Sequence, residues 1–147
     1  MIQKKFLYNF IKVLISILIF VLIYFVIFSK NYIKIDIKNT TNSSINNLKI
    51  VSRQLKNNIN IPSISPNEKY KVKFRPSEEF TEGAASIELE YTNEQNQKEY
   101  FSLIGYTEGS AENVKVILKN YENGKLIIDI NGEELTGISE KEMYGEK

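Results

Sequence analysis

Lys69-Tyr70-Lys71-Val72-Lys73-Phe74-Arg75 is the stretch on which the reading of the fold turns. Tyr70, Val72 and Phe74 alternate strictly with Lys69, Lys71, Lys73 and Arg75. A repeat of two residues suits a β-strand with one buried and one solvated face, whereas a helix would scatter the same apolar residues around its circumference.

The pattern recurs in both directions. Upstream, Asn31–Lys38 sets Ile33, Ile35 and Ile37 against Lys34, Asp36 and Lys38, and a turn-rich cluster, Asn39–Ser44, closes it. Leu48 and Ile50 open a second strand that runs to Arg53. Residues 57–66 carry Ile59, Ile61 and Ile64 together with Pro62 and Pro66, which predicts an irregular or edge segment because proline has no N–H to donate.

Downstream, Ser86–Thr92 directs Ile87, Leu89 and Tyr91 inward and Glu88 and Glu90 outward. Lys98–Tyr106 is apolar on both faces, which predicts a central strand. Asn113–Lys119 and Lys125–Asn131 form a hairpin through Asn123-Gly124. Seven short strands and no soluble helix predict an all-β domain over residues 30–134, a two-sheet sandwich of immunoglobulin-like kind. The chain has no Cys and no Trp, so the inter-sheet disulfide and buried Trp of antibody domains are absent. Residues 135–147 are acidic and predict a flexible tail.

Ahead of the domain, Phe6 to Phe28 reads FLYNFIKVLISILIFVLIYFVIF. As a helix this run is about 34 Å long, against roughly 30 Å for a hydrocarbon core. A cleaved signal peptide has a shorter apolar stretch and a small-residue cleavage site, but cleavage after Ser29 would place branched Ile27 at −3. A core helix would keep one polar face. The expectation is a single-pass signal anchor over residues 6–29, behind a cytoplasmic N-terminus of residues 1–5. Its apolar span is Val13, Leu14, Ile15, Ile17, Leu18, Ile19, Phe20, Val21, Leu22, Ile23, Tyr24, Phe25, Val26, Ile27 and Phe28. Lys12 lies near enough to one end to snorkel, and Tyr8 and Tyr32 fall near the two interfaces. Lys4, Lys5 and Lys12 with the terminal amine slightly outweigh Lys30, Lys34 and Lys38. The positive-inside rule then predicts a β domain on the extracytoplasmic side of the cell membrane. The lipid bilayer is the first expected partner.

Charge is segregated along the chain. Residues 30–75 hold ten Lys or Arg against two acids, and residues 76–147 hold six Lys against sixteen acids. Either the halves pair across strands, with Lys69–Arg75 beside Glu88 and Glu90, or the domain presents faces of opposite sign. Lys69, Lys71, Lys73 and Arg75 are the candidate binding residues in the second case, for an acidic protein, a phosphate-rich polymer or headgroups. Nucleic acid is not expected, because no aromatic residues interleave on that face.

The chain has no His and no Cys, which removes the usual general base, the Ser-His-Asp triad, the thiol nucleophile and typical zinc sites. Glu88 and Glu90 would stand about 7 Å apart, within reach of a glycosidase spacing, but on an open face with no cleft signalled around them. Asp129-Ile130-Asn131-Gly132-Glu133-Glu134 has the outline of a calcium loop, yet its Gly falls at position 4 where an EF-hand needs it at position 6, and a tight turn accounts for it more simply. No catalytic residue, metal site or cofactor is expected. Heavy use of Ile, Lys and Asn suggests an AT-rich bacterial genome, so the N-x-[ST] matches at Asn39 and Asn42 read as turn residues.

Several short patterns, Asn39-Thr40-Thr41, Asn47-Leu48-Lys49-Ile50, Ile61-Pro62, Lys71-Val72-Lys73, Glu90-Tyr91-Thr92 and Ile104-Gly105-Tyr106-Thr107-Glu108, carry a resemblance. Over about Ile33 to Ile130 the chain resembles small uncharacterised membrane-anchored β-sandwich proteins of low-GC Gram-positive bacteria. That resemblance implies fold and location and brings no activity with it. The expected function is a non-enzymatic, membrane-tethered interaction module with a protein or anionic envelope partner. The alternatives are an immunity protein that neutralises a secreted toxin at the membrane, and a structural subunit of an envelope or secretion assembly.

Overall fold

The computed structural model describes residues 2–27, 32–75, 79–81, 85–107, 110–122 and 125–145. The chain forms two compact units, Met1–Lys30 and Asn31–Lys147.

The first unit is one helix, α1, Ile2–Ile27. Its described side chains are those of residues 8–24, and apolar ones such as Phe10, Leu14, Leu18 and Phe20 are exposed on every side. Among the described residues no helix is long and apolar enough to cross a membrane. Residues 8–24 cover roughly 25 Å of helix, short of a hydrocarbon core of roughly 30 Å. The span read from the sequence continues into Phe25, Val26, Ile27 and Phe28, whose side chains lie outside the described residues.

The second unit is mostly β. Its strands are β1 Ile33–Asn39, β2 Leu48–Val51, β3 Ile59–Ile61, β4 Lys69–Phe74, β5 Ala85–Thr92, β6 Lys98–Thr107, β7 Glu112–Glu122, β8 Lys125–Ile130 and β9 Glu133–Thr136. A short helix, α2, Glu140–Tyr144, follows. One sheet has the order β4-β1-β7-β8-β9 and the other β3-β2-β5-β6. Neighbours are antiparallel except β1 and β7, which run parallel.

The two-residue repeats decide which face is buried. Ile33, Ile35 and Ile37 of β1, Val72 and Phe74 of β4, Val114, Val116 and Leu118 of β7, and Leu126 and Ile128 of β8 are buried in one cluster with Leu48, Ile50, Ile87, Leu89, Phe101 and Leu103 of the other sheet. Each such side chain contributes about 1.5–3 kcal/mol when taken out of water. Asn39 ends β1 and is wholly buried. Its Nδ2 donates to the carbonyls of Ser43 and Ile64, both at 2.8 Å, and its Oδ1 accepts from Thr41 N at 2.9 Å and Thr41 Oγ1 at 2.8 Å. The side chain thus organises the turn that the sequence marks there, and all its hydrogen-bonding groups are engaged.

Among the described residues there are nine strands, not the seven expected. The strands divide between two sheets as the sandwich reading expects, with β1 in one sheet and β2 and β5 in the other. The C-terminal stretch, expected to be a flexible tail, carries regular structure. Asn131 and Gly132, at φ 54° and 98°, make the tight turn into β9. Gly137 then lets the chain cross to the other sheet, where Ile138 pairs with Tyr100 through N–H···O bonds of 2.8 and 3.1 Å. Ser139 and Glu142 form a reciprocal capping box on α2.

β6, which reads as a central strand, is the last named strand of its sheet. Its second apolar face is explained by α2, because the Tyr144 ring stands edge-on to the Tyr100 ring at 5.8 Å. Glu88 and Glu90 therefore do not sit on an open solvated face. They are 2% and 4% exposed, which removes the solvated carboxylate pair that the glycosidase comparison required.

Candidate functional site

The sheet order that moves Glu88 and Glu90 away from β4 also decides what its lysines face. β4 pairs with β1, so Lys69 stands opposite Lys38, Lys71 opposite Asp36, and Lys73 opposite Lys34. On the far side of β1, Asp36 is level with Lys115 of β7. Residues directly opposite on neighbouring strands place their Cβ atoms about 4.5–5.5 Å apart. Six lysines from three adjacent strands thus surround a single acid, Asp36, on the outer face of the five-stranded sheet.

Rows follow one another about every 7 Å along the strands. Lys38 with Lys69 forms one row, Lys71 and Lys115 flank Asp36 in the next, and Lys34 with Lys73 forms the third. Among the described residues no ion pair reaches Lys34, Lys38, Lys69, Lys71, Lys73 or Lys115; the pairs present join Lys49 and Lys98 to Glu90, and Lys119 to Asp129 and Glu134. One aspartate against six lysines leaves the face with an excess of positive charge, and like charges directly opposite are destabilising.

The four residues singled out in the sequence divide into two pairs. Lys69 and Lys71 project into solvent. Lys73 and Arg75 gather on Tyr32, just ahead of β1. Lys73 Nζ lies 3.9 Å from the ring centroid, and Arg75 Nη2 donates to the Tyr32 hydroxyl at 2.9 Å. Each cation–π contact of this sort contributes about 0.5–1 kcal/mol at an exposed site. The sequence reading left Lys34, Lys38 and Lys115 out of the site. The alternation Lys34-Asp36-Lys38 was the available signal for β1, but nothing short of the strand order could bring Lys115 alongside.

Among the described residues three acids, Glu88, Glu90 and Glu99, are buried inside the molecule. Glu90 Oε2 accepts from Tyr100 Oη at 3.0 Å and from Lys98 Nζ at 3.1 Å, while its buried Oε1 has no hydrogen bond and is 3.9 Å from Lys49 Nζ. Glu88 accepts from Tyr144 Oη at 3.1 Å. Burial, reinforced by Glu90 and by Glu88 respectively, pushes the Tyr100 and Tyr144 hydroxyls well above the usual tyrosine range. Glu99 points between the sheets and accepts the Leu126 backbone N–H at 3.0 Å. Asp129 accepts from Gly132 N at 2.7 Å and pairs with Lys119 at 3.4 Å, so its carboxylate organises the turn in the segment with a calcium-loop outline.

Two grooves of about 470 and 480 Å³ open beside the β5–β6 loop and share Asn93 and Gln95. In the first, the Tyr91 and Tyr121 hydroxyls meet at 3.0 Å. Neither lining converges charge as the lysine face does.

No protein-family model matches the chain, and no curated protein matches it. Among solved structures, an NMR structure of a protein from Eubacterium rectale is similar to it. The two are 14% identical, the match covers 72% of this chain and 94% of that one, and the TM-score is 0.45.

Proposed function

We propose that this protein is a non-enzymatic interaction module, tethered to the cell membrane through its N-terminal helix, that binds an anionic protein or envelope partner on its lysine face. One observation carries the binding reading: six lysines on β1, β4 and β7 enclose one aspartate, with no ion pair to any of the six among the described residues. A surface of this kind attracts anions over several ångströms, and it discriminates by sign before it discriminates by shape. The absence of His and Cys from the chain supports a binding role over a catalytic one.

The tether rests on sequence. The run Phe6–Phe28 matches a bilayer in length, and from Val13 to Phe28 it carries no charge. Lysine asymmetry supports a β domain outside the cytoplasm.

The test is binding of polyphosphate to the full-length protein in zwitterionic micelles, with and without the double change Lys71→Glu and Lys73→Glu. Loss of binding in the double variant supports the reading, and undiminished binding at physiological salt removes the lysine face from it. Location is tested separately with Gln95→Cys in the Cys-free chain and a membrane-impermeant maleimide on intact cells. Labelling only after lysis would place the domain in the cytoplasm.

A further inference from the structure

The lysine face reaches the rim of its sheet. β4 is the terminal strand of the order β4-β1-β7-β8-β9. Among the described residues, the backbone of Lys69–Phe74 bonds only to β1, and no other backbone group reaches it. Half of its N–H and C=O groups therefore point outward along a free edge six residues long.

The opposite flank of the domain differs. There the chain passes from β9 through Gly137 to Ile138, whose N–H and C=O engage Tyr100 on β6. An edge left open on one flank, while the other is bridged, is a directional feature of the fold.

We infer that β4 is a docking edge for an extended acidic segment of a partner protein, which adds to the sheet as a further strand. This rests on the anion-binding reading above and names the partner's chemistry. The argument is geometric. A strand laid antiparallel or parallel against β4 repeats its side chains with the same two-residue period. Glu or Asp at every second position of that strand would stand opposite Lys69, Lys71 and Lys73, about 5 Å away. The acids opposite Lys69 and Lys73 also face lysines that already repel one another between β1 and β4, at Lys38–Lys69 and Lys34–Lys73, whereas Lys71 already stands opposite Asp36. The incoming charges relieve a tension that the free protein carries.

The same lysines explain what the edge refuses. A second β4 edge would set lysine against lysine, and a neutral strand would leave the repulsion in place. Edge lysines act as gatekeepers against uncharged and basic strands, so selectivity comes from the surface that supplies affinity.

The test uses full-length protein in zwitterionic micelles and three probes: an eight-residue peptide of alternating Glu and Val, the same peptide N-methylated at every residue, and inorganic polyphosphate. The expected result is that the alternating peptide binds and slows hydrogen exchange at alternate amides of Lys69–Phe74. N-methylation keeps the charge but removes the strand donors, and should weaken binding by about tenfold or more. The double change Lys71→Glu and Lys73→Glu should weaken the unmodified peptide by a similar factor.

Equal binding of the methylated peptide, or exchange protection outside β4, would overturn strand addition and leave the anion-binding face standing. Binding of polyphosphate alone would do the same and point to a polymer partner. Failure of all three probes would overturn both readings.

Discussion

Lys38 and Lys69 stand directly opposite each other on antiparallel neighbours, two cations on the outer sheet face with no carboxylate at ion-pair distance from either among the described residues. Such a pair costs stability, and reversing one member should recover it. Lys69→Glu is expected to raise unfolding stability by about 0.2–1 kcal/mol. The same change should lower affinity for polyphosphate. Urea unfolding alongside a binding titration checks both signs. A variant that loses stability would show that the two lysines do not repel.

Asp36 lies level with Lys71 on one side and Lys115 on the other, within the ring of lysines. Removing its charge should strengthen anion binding by about threefold at low salt, the size expected for one unit charge at about 5 Å in water. Asp36→Asn should do this with little change in fold, since the residue is exposed. Titrations across a salt series give the measurement, and an unchanged or lower affinity would count against the face.

Gly137 marks the crossing between sheets. A Cβ built there would lie 2.6 Å from Glu99 Cβ, 2.9 Å from Glu99 Oε2 and 3.0 Å from the Phe101 ring. Gly137→Ala should therefore destabilise the domain by about 1–3 kcal/mol through overpacking. Hydrogen exchange should quicken at Ile138 and Tyr100, whose amides bridge the flank. Ordinary exchange there would show that Glu99 gives way at no cost.

Docking of α2 depends on neutral tyrosines. The Tyr100 and Tyr144 hydroxyls are held above the ordinary value of 10.0 by burial, with Glu90 and Glu88 adding to it. The folded state keeps these protons where the unfolded chain has lost them. The stability so conferred is complete below pH 10 and falls as pH rises beyond it. Tyrosinate absorbance followed with pH should show Tyr100, Tyr144 and Tyr121, which burial and the Tyr91 hydroxyl also push up, titrating late, and Tyr144→Phe should remove one of the three.

Acid acts on the other end of α2. The Glu142 carboxylate accepts the Ser139 backbone N–H at 2.7 Å, which together with the Ser139 hydroxyl holds it below its ordinary value of 4.5. Its share of the capping is present above that value and is lost as pH falls through the depressed one. Exchange of the Ser139 amide should quicken in that acid range, and Glu142→Gln should flatten the dependence.

Much of the β domain is legible in residues that alternate cleanly. Ile33–Ile37, Tyr70–Phe74 and Ile87–Tyr91 announce strand, face and core because each repeats every second residue. Period, however, says nothing of neighbours. Lys71 and Glu88 look like partners in sequence, and only the strand order separates them into different sheets. The buried outer face of β5 and β6 was hidden for a related reason: the cover, Tyr144, lies far along the chain in a stretch whose acidic composition suggests solvent. Lys115 joined the site through a parallel pairing of β1 with β7, a long-range contact with no local signature.

The parallel pairing has a mechanical meaning. The chain enters the domain through β1, an interior strand held along both sides, by β4 from Lys38–Lys69 to Ile33–Phe74 and by β7 from Ile33–Glu112 to Asn39–Leu118. A pull on residues ahead of Ile33 runs along β1, across hydrogen bonds that lie broadside to the load, so two ladders must shear together instead of unzipping one bond at a time. Force entering from that end meets a strand paired on both sides, and a ligand held on β4 would be one ladder away from the line of tension.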